Sequence, residues 1–360
     1  MIDHQDSTST EAGSSGPAEY IHGPAEYIHG EAEYTHGVEP ATRLPFGVSR
    51  YYARLAHSDD PETDPIAAQF IPREKELVRL DYESDDPIGD RRYRVTERLI
   101  HHYRDRALLL VSDRCATYCR HCFRRHFTGH GGGRITADQI EQACSYLERT
   151  PVIRELLLSG GDPLMLSDQE LAGLLSRLKR VNPEYIIRVC SRMPVVAPSR
   201  VTDSLARVLG ETGSVWAVIH ANHPRELTDE FRAAIRRLLG AAVPVLNQAV
   251  LLRGINDSVD TLEELMRGLV RAGVKPYYLF QGDLAAGTSH FRVSLERGIQ
   301  IMRELRERLS GIGLPTYAVD LPDGGGKVPV ESSLVRVEPE AYVLRGREGI
   351  EYRYPREAGL

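Results

Sequence analysis

The segment DRCATYCRHCFRRH, residues 113–126, places three cysteines within eight residues. Spacers of three and then two residues separate them: Cys115, Cys119 and Cys122. A closed structural zinc site takes four ligands, usually as two pairs, and no second pair of cysteines lies nearby in the sequence. A [4Fe–4S] cluster normally uses one thiolate per iron. Three thiolates would leave one iron free to hold a small molecule, so the segment predicts an open iron–sulfur cluster.

The cysteines follow the first of six apolar runs that alternate with amphipathic, helix-forming patterns. The runs are ALLLVSD (107–113), IRELLLSG (153–160), YIIRVCS (185–191), VWAVIHA (215–221), PVLNQAVLL (244–252) and PYYLFQGD (276–283). Several of the patterns between them open with Ser, Thr or Asp, which are preferred as helix N-caps. Six βα units in a row predict an α/β fold, a partial (β/α)6 TIM-like barrel with helices outside a parallel sheet.

Polar residues stand where these predicted strands end. The cysteines follow the first run, residues 159–162 follow the second, His220 closes the fourth and Asp283 closes the sixth. In barrels of this kind the chemistry collects at the carboxyl ends of the strands. The pattern therefore predicts that these residues share one site.

The chain divides into four predicted segments: a disordered low-complexity tail (1–40), a helical leader (41–106), the barrel (107–314) and a C-terminal segment (315–360). The tail carries a seven-residue repeat, copied three times over residues 16–36 as GPAEYIH, GPAEYIH and GEAEYTH. Glycine in every copy and few apolar positions argue against a coiled coil. The tail is therefore expected to lie outside the core.

Bulk composition excludes several classes of protein. The chain has 360 residues and a net charge of −6, so no basic surface argues for a nucleic-acid partner. No apolar run approaches the roughly 18 residues that a membrane helix needs, and no apolar stretch suggests a secretory signal. Five cysteines, three of them clustered, do not form a disulfide framework. A reducing cytoplasm and no membrane partner are predicted.

A second informative stretch is YAVDLPDGGGKVPV, residues 317–330, in which three glycines precede Lys327. A glycine-rich loop offers backbone N–H groups to a phosphate and folds tightly around it. A lysine beside such a loop can form a Schiff base with pyridoxal 5′-phosphate (PLP). The spacing is not that of a P-loop, and a surface turn is the structural alternative.

The CxxxCxxC motif after the first strand resembles the radical S-adenosylmethionine (SAM) superfamily. The resemblance implies that the open iron binds SAM and that one electron cleaves it to methionine and a 5′-deoxyadenosyl radical. SGGDPL (159–164) resembles the glycine-rich stretch that meets the methionyl end, although a tight strand-to-helix turn would also use such residues. The candidate SAM-binding residues are Ser159, Gly160, Gly161, Asp162, Arg188, His220 and Gln248.

Together the two motifs resemble the lysine 2,3-aminomutase family over most of residues 46–335. GVSRYYARLAHSDDPETDPIAAQFIP (47–72), VLNQAVLLRGIND (245–257) and DLPDGGGKVPV (320–330) carry the likeness beside the cysteine segment. The resemblance implies an isomerase in which Lys327 carries PLP and an α-amino group moves to the neighbouring carbon. The candidate PLP-binding residues are Tyr103, Arg106, Gly324, Gly325, Gly326 and Lys327.

By the same resemblance, Asp283 and Asp320 match two acids that hold the distal ammonium of lysine, and Arg124 matches the residue that holds the substrate carboxylate. L-Lysine is therefore the predicted substrate and β-lysine the product. Arginine stays open, because a guanidinium could also sit between two aspartates. CFRRHF also resembles the branch that isomerises lysine for elongation factor P. A non-catalytic iron–sulfur or zinc-binding module is the alternative from another class.

Some positions depart from the family pattern. His102 stands where an arginine is usual, Asp323 where a glycine is usual, and Ser258 where longer members have a zinc cysteine. No structural zinc is therefore expected. The implied partners are a small amino-acid substrate and a reductant such as flavodoxin or ferredoxin, and a homo-oligomer is left open.

Overall fold

The computed structural model describes residues 27–28, 44–130, 132–330, 334–339, 341–345 and 350–355. Of the predicted tail, only strand β1 (Tyr27–Ile28) falls within these residues, and it pairs antiparallel with β2 (Val48–Ser49). The other copies of the repeat lie outside the described residues. The prediction of a disordered tail stays a prediction.

Little of the leader is helical. It contains one four-residue α-helix, α1 (Arg50–Ala53), and 3-10 helices at Ala67–Gln69 and Glu74–Leu77 before strand β3 (Leu99–Tyr103). Where a short helical turn does start, an aspartate side chain accepts from N–H groups of its first turn, which have no partner within a helix. Asp64 accepts from the backbone of Ile66 and Ala67, for example. The helical leader expected from the sequence is therefore mostly turns and extended chain.

A nine-stranded sheet forms the centre of the molecule, in the linear order β11-β10-β9-β8-β7-β6-β5-β4-β3. Its remaining strands are β4 (Arg106–Ser112), β5 (Glu155–Gly160), β6 (Ile186–Ser191), β7 (Val215–Ile219), β8 (Val245–Leu251), β9 (Lys275–Gln281), β10 (Thr316–Leu321) and β11 (Gly326–Pro329). Strands β4 to β10 run parallel, and β3 and β11 pair antiparallel at the two edges. The predicted partial barrel is confirmed, and β10 adds a seventh parallel strand to it.

Helices follow each of the first six parallel strands. They are α2 (Ala137–Glu148), α3 (Asp168–Val181), the short α4 (Met193–Val196), α5 (Asp203–Thr212), α6 (Asp229–Gly240), α7 (Val259–Arg271) and α8 (Leu295–Arg308). A Ser or Thr side chain caps each of the six longer helices, as Ser258 does for α7. The apolar face of α7 is fully buried at Leu262, Leu265 and Leu269. Within the described ranges, no helix has the length and apolar character needed to cross a membrane.

A smaller antiparallel sheet lies near the C-terminus. It consists of β12 (Leu334–Val337), β13 (Ala341–Arg345) and β14 (Glu351–Pro355), in that order. The parallel strands of the large sheet all point their carboxyl ends to one side, so the loops that follow them meet there. That rim holds the candidate site.

Candidate active site

A cavity of about 590 Å³ opens at the carboxyl ends of the parallel strands and extends from the cysteine segment to β10 and β11. Its volume falls in the range of small-molecule and cofactor sites. Every candidate site residue except Gly324 and Gly325 lines it: Cys115, Cys119, Cys122, Ser159, Gly160, Gly161, Asp162, Arg188, His220, Gln248, Tyr103, Arg106, Gly326, Lys327, Arg124, Asp283 and Asp320. The residues therefore line one cavity, as was predicted for those that follow the strand ends.

The cysteine loop follows β4 directly. The backbone N–H of Cys122 donates to the carbonyl of Cys119 over 2.9 Å, which closes a turn between them. Among the residues that the structure describes, the only trio of His, Cys, Asp or Glu side chains with ligand atoms all within 4.8 Å of one another is Asp86, Asp90 and His126. The three sulfurs are thus spread more widely than the ligands of a single ion, which suits thiolates bound to separate irons.

Burial makes two of the cysteine thiols, Cys115 and Cys122, harder to ionise by themselves. It raises the pKa of Cys115 well above its usual range, and the nearby Asp162 carboxylate adds to the effect. Burial also raises the pKa of Cys122, together with the neighbouring Cys119. Three thiolates at this place need a compensating cation, and a bound metal deprotonates its thiol ligands. The donor set therefore fits an iron–sulfur cluster.

Two glycines let the loop after β5 lie directly against the segment that leads into the cysteines. Gly160 has φ +116°, and a Cβ there would lie 2.3 Å from the carbonyl oxygen of Ser112. At Gly161 a Cβ would lie 2.4 Å from the carbonyl oxygen of Arg114. Any side chain at either position would push the two backbones apart, so this close packing alone requires glycine.

The Asp162 side chain holds the same turn in place. Its carboxylate accepts from the backbone N–H groups of Leu164 (2.9 Å) and Arg192 (2.8 Å) and from the hydroxyl of Ser191 (2.7 Å). Burial raises its pKa, and these hydrogen bonds counteract the rise. Both carboxylate oxygens already have partners, so the side chain acts first as a structural anchor.

The other three candidate SAM-binding residues, Arg188, His220 and Gln248, have different surroundings. Arg188 on β6 forms an ion pair with Glu155, with 2.5 Å between Nε and Oε1. Burial lowers the pKa of His220 to about 4, and the positive charge of Arg192 contributes, so its imidazole is neutral at pH 7. Gln248 lies on β8 and lines the cavity. The group offers one cation and two neutral hydrogen-bonding side chains.

At the far end of the cavity, Lys327 lies opposite Asp320 in the β10–β11 pair, and its Nζ is 2.8 Å from Oδ2 of Asp320. The same ammonium lies 3.8 Å from the centre of the Phe280 ring. Burial lowers the pKa of Lys327, and the Asp320 carboxylate opposes the change. A lowered pKa raises the fraction of free amine, the form that attacks a carbonyl.

Asp283 adds a second carboxylate to this end. Burial, together with the nearby Asp320 carboxylate, raises the pKa of Asp283 to about 7, and the positive charge of Lys327 limits the rise. Asp320 and Asp283 therefore both lie near Lys327, and Arg124 adds a second positive charge near Asp283. Once Lys327 is neutralised, the two acids can accept the cationic group of a ligand in its place.

Arg124 is buried in the cavity wall with an acidic partner that the sequence did not reveal. Its Nε donates to Asp90 Oδ2 over 2.8 Å, and its Nη1 lies 3.3 Å from the Ser159 hydroxyl. Asp90 belongs to the leader. The carboxylate thus orients the guanidinium, a planar donor suited to binding a second carboxylate.

The glycine loop between β10 and β11 lies against the end of β3. The Tyr103 hydroxyl accepts from the Lys327 backbone N–H over 2.9 Å, and the Arg106 guanidinium lies 3.9 Å from the Tyr103 ring centre. His102, at the position where an arginine was expected, has its Nε2 2.9 Å from the Gly324 carbonyl oxygen. Gly324 and Gly325 do not line the cavity; they shape the turn that brings Lys327 into it.

Comparison with known proteins agrees with this arrangement. A profile described as "Radical SAM superfamily" matches residues 109–269, and one described as "Lysine-2,3-aminomutase" matches residues 302–358. The L-lysine 2,3-aminomutase of Clostridium subterminale is 41% identical over 308 residues, 85% of this chain and 74% of that protein. This chain belongs to the lysine 2,3-aminomutase family. The L-lysine 2,3-aminomutase of Bacillus subtilis is 40% identical, covering 87% of this chain and 66% of that protein.

Aminomutases of this family are isomerases of the radical SAM superfamily, and they act on small molecules through a [4Fe–4S] cluster and SAM. The family also includes other specificities. The glutamate 2,3-aminomutase of Clostridioides difficile is 37% identical over 86% of this chain and 74% of that protein. Family membership therefore fixes the type of reaction and leaves the amino acid to be argued from the site.

Sequence reasoning missed the acids that balance the basic residues of this aminomutase's cysteine segment. Glu76, in the leader, is fully buried and accepts from both Arg120 and Arg125, at 2.6 and 2.7 Å. Arg192, just after β6, contacts Cys119 and the buried Glu226. The cluster of arginines in the cysteine segment indicates that acidic partners are needed if these arginines are buried. The sequence does not show which acids those partners are.

Proposed function

We propose that this protein is a PLP-dependent lysine 2,3-aminomutase that converts L-lysine to β-lysine. The observation that carries the proposal is the pair of acids, Asp283 and Asp320, beside Lys327 in the cavity that also holds the cysteine loop. A cationic side chain placed there would meet two carboxylates. A glutamate side chain would add a third negative charge beside two partly buried acids, and like charges at close range are strongly unfavourable.

Each end of the substrate would lie beside a protein group of the opposite charge. Arg124, oriented by Asp90, would bind the α-carboxylate, and the two aspartates would bind the ammonium of the side chain. A fixed guanidinium and a fixed pair of acids set both the charge and the length of the substrate that fits. The family's reaction requires the α-carbon and β-carbon to lie between these ends.

The cofactors would divide the cavity between them. Cys115, Cys119 and Cys122 would hold the cluster, residues 159–162 with Arg188, His220 and Gln248 would hold SAM, and the β10–β11 turn with Tyr103 and Arg106 would hold the PLP phosphate. The cluster and SAM would supply the radical that starts the reaction, and PLP would bind the migrating nitrogen covalently as a Schiff base. A reductant of the flavodoxin or ferredoxin type would deliver the electron. Lys327 contributes the amine that anchors PLP.

The substrate is tested by anaerobic turnover. Protein reconstituted with iron, sulfide and PLP is incubated with dithionite and SAM and with lysine, arginine or glutamate, and the derivatised amino acids are separated and read by mass spectrometry. We expect β-lysine with lysine as the preferred substrate. Turnover of arginine but not lysine would show that arginine, not lysine, is the substrate. Turnover of glutamate would refute the role proposed for the two aspartates.

The PLP lysine is tested separately. Borohydride reduction should fix PLP to a peptide that contains Lys327, and Lys327→Ala should lose the label. Lys75→Ala is the matched control, since that lysine lies in an exposed ion pair with Glu62. Retention of the label by the Lys327 variant would show that the wrong lysine has been assigned.

A further inference from the structure

A buried polar network lies beside the cysteine loop, and Arg192 is its centre. The guanidinium lies 2.7 Å from the Cys119 sulfur through Nη1. Through Nη2 it also reaches the Tyr52 hydroxyl (2.8 Å), the Gln69 carbonyl (2.5 Å) and the Glu226 carboxylate (2.8 Å). No role was assigned to Arg192 or Glu226 from the sequence. The same guanidinium therefore touches both a cysteine of the motif and a set of leader residues.

Glu226 is the buried acid of this network. It is 0% exposed and accepts from Tyr52, Gln69 and the backbone N–H groups of Asn222 and His223. These hydrogen bonds fix the Glu226 carboxylate, and its ion pair with Arg192 holds in place the guanidinium that contacts Cys119.

We propose that Arg192 is a positioning residue that raises the reduction potential of the cluster by donating an N–H to the Cys119 sulfur. Hydrogen bonds to cluster sulfurs and nearby charge set the potentials of iron–sulfur centres. A donor and a positive charge at the sulfur stabilise the reduced state, which carries one more electron. Tyr52, Gln69 and Glu226 hold the donor in place from the leader and from the loop after β7. The inference needs the cluster but does not depend on which amino acid the enzyme uses.

A purely structural role makes a different prediction. If Arg192 only neutralised Glu226, removing both charges together would leave the cluster unchanged. Replacement of a buried ion pair by neutral residues is often tolerated, whereas removal of one partner leaves a costly unpaired charge. The informative variant is therefore the double substitution Arg192→Gln/Glu226→Gln.

The experiment is a redox titration of the reconstituted protein without SAM, followed by electron paramagnetic resonance of the reduced cluster. Iron and sulfide contents are first matched to the unmodified protein. We expect the ratio of reduced to oxidised cluster at a fixed potential to fall about tenfold in the double variant, which for one electron is a shift of about 59 mV to more negative potential.

The matched control is Arg225→Gln/Asp64→Asn. That pair is likewise an Arg–acid ion pair to the loop after β7, here from the leader, with 3.0 Å between its charged atoms, but neither residue contacts a cysteine sulfur. Its potential should equal that of the unmodified protein. An unchanged potential in the Arg192 double variant, with the cluster fully loaded, overturns the proposal.

A second variant covers the case in which the double substitution does not load a cluster. Arg192→Lys keeps the positive charge beside Glu226 but cannot contact Cys119 and its three other partners with the same planar fork. It should shift the potential in the same direction by a smaller amount. A potential identical to that of the unmodified protein would again refute the proposal.

Discussion

The two ends of the cavity are built on different principles. Around the cysteine loop, backbone packs on backbone, and glycines at 160 and 161 leave no room for a side chain. At β9 to β11, the arrangement depends on charge, with two acids beside one lysine. Close backbone packing at the cysteine end does not depend on which amino acid is bound, whereas the two acids at the other end favour a substrate with a cationic side chain. The cysteine end can therefore serve a whole superfamily, and the lysine end can distinguish its members.

The largest expected effect is on the cysteine end. Cys119→Ala should remove nearly all bound iron and the absorption near 400 nm, because two thiolates hold a cluster poorly. Formation of 5′-deoxyadenosine should fall to background. Iron analysis and anaerobic spectra provide the measurement. Cys144→Ala, in the buried face of α2, should load a normal cluster; loss of iron there as well would mean that the defect is one of folding.

The next effect is on the lysine end. Asp283→Asn removes one charge with little change of shape, and we expect kcat/KM for lysine to fall about a hundredfold, in line with about 3 kcal/mol for truncating a buried charge pair. The iron content should not change. Asp229→Asn is the control, since that side chain is 98% exposed in its pair with Arg232. An unchanged kcat/KM in the Asp283 variant would show that Asp283 does not bind the substrate.

The same charge predicts a pH dependence. With its pKa raised to about 7, Asp283 is protonated as the pH falls below 7 and then no longer attracts a cation. We expect kcat/KM for lysine to drop about tenfold between pH 8 and pH 6, following the ionised fraction. Asp283→Asn should lose this inflection. A profile that keeps it would assign the titration to another group.

The smallest effect tests shape by itself. Gly161→Ala places a Cβ 2.4 Å from the Arg114 carbonyl, and we expect the free energy of unfolding to fall by about 1–3 kcal/mol, as for other overpacked sites. Gly173→Ala, on α3, is the matched substitution, because no atom outside its own stretch of helix would lie within 4 Å of the added Cβ. It should stabilise the protein by up to about 1 kcal/mol. Thermal unfolding of both variants would show whether the signs differ.

The sequence predicted the repeated architecture well, because each βα unit is specified locally by its apolar run and its capping residue. Thr136 and Ser167 cap α2 and α3 where the pattern placed helix starts. The gathering of strand-end residues into one cavity was also predictable, since parallel strands point the same way. These are consequences of short-range pattern and of sheet geometry.

The long-range polar partners could not be predicted. Asp90 lies 34 residues from Arg124, and Gln69 lies 123 residues from Arg192. Any of the leader's acids could have served equally well by spacing. The leader's lack of helix was missed for a related reason, because its side chains bind backbone and distant arginines rather than forming a regular face. Such contacts are fixed only when the whole chain is packed.

The position of Lys327 on β11 has one further consequence. β11 is an edge strand, joined to the sheet through β10 alone, and Lys327 faces Asp320 in a strict pairing register. Side chains alternate between the two faces of a strand, so a slip of one residue would turn the amine to the opposite face. The turn at Pro322–Gly324 fixes this register through its length. It thereby determines which face of the sheet carries Lys327, the only side-chain amine of the β10–β11 hairpin.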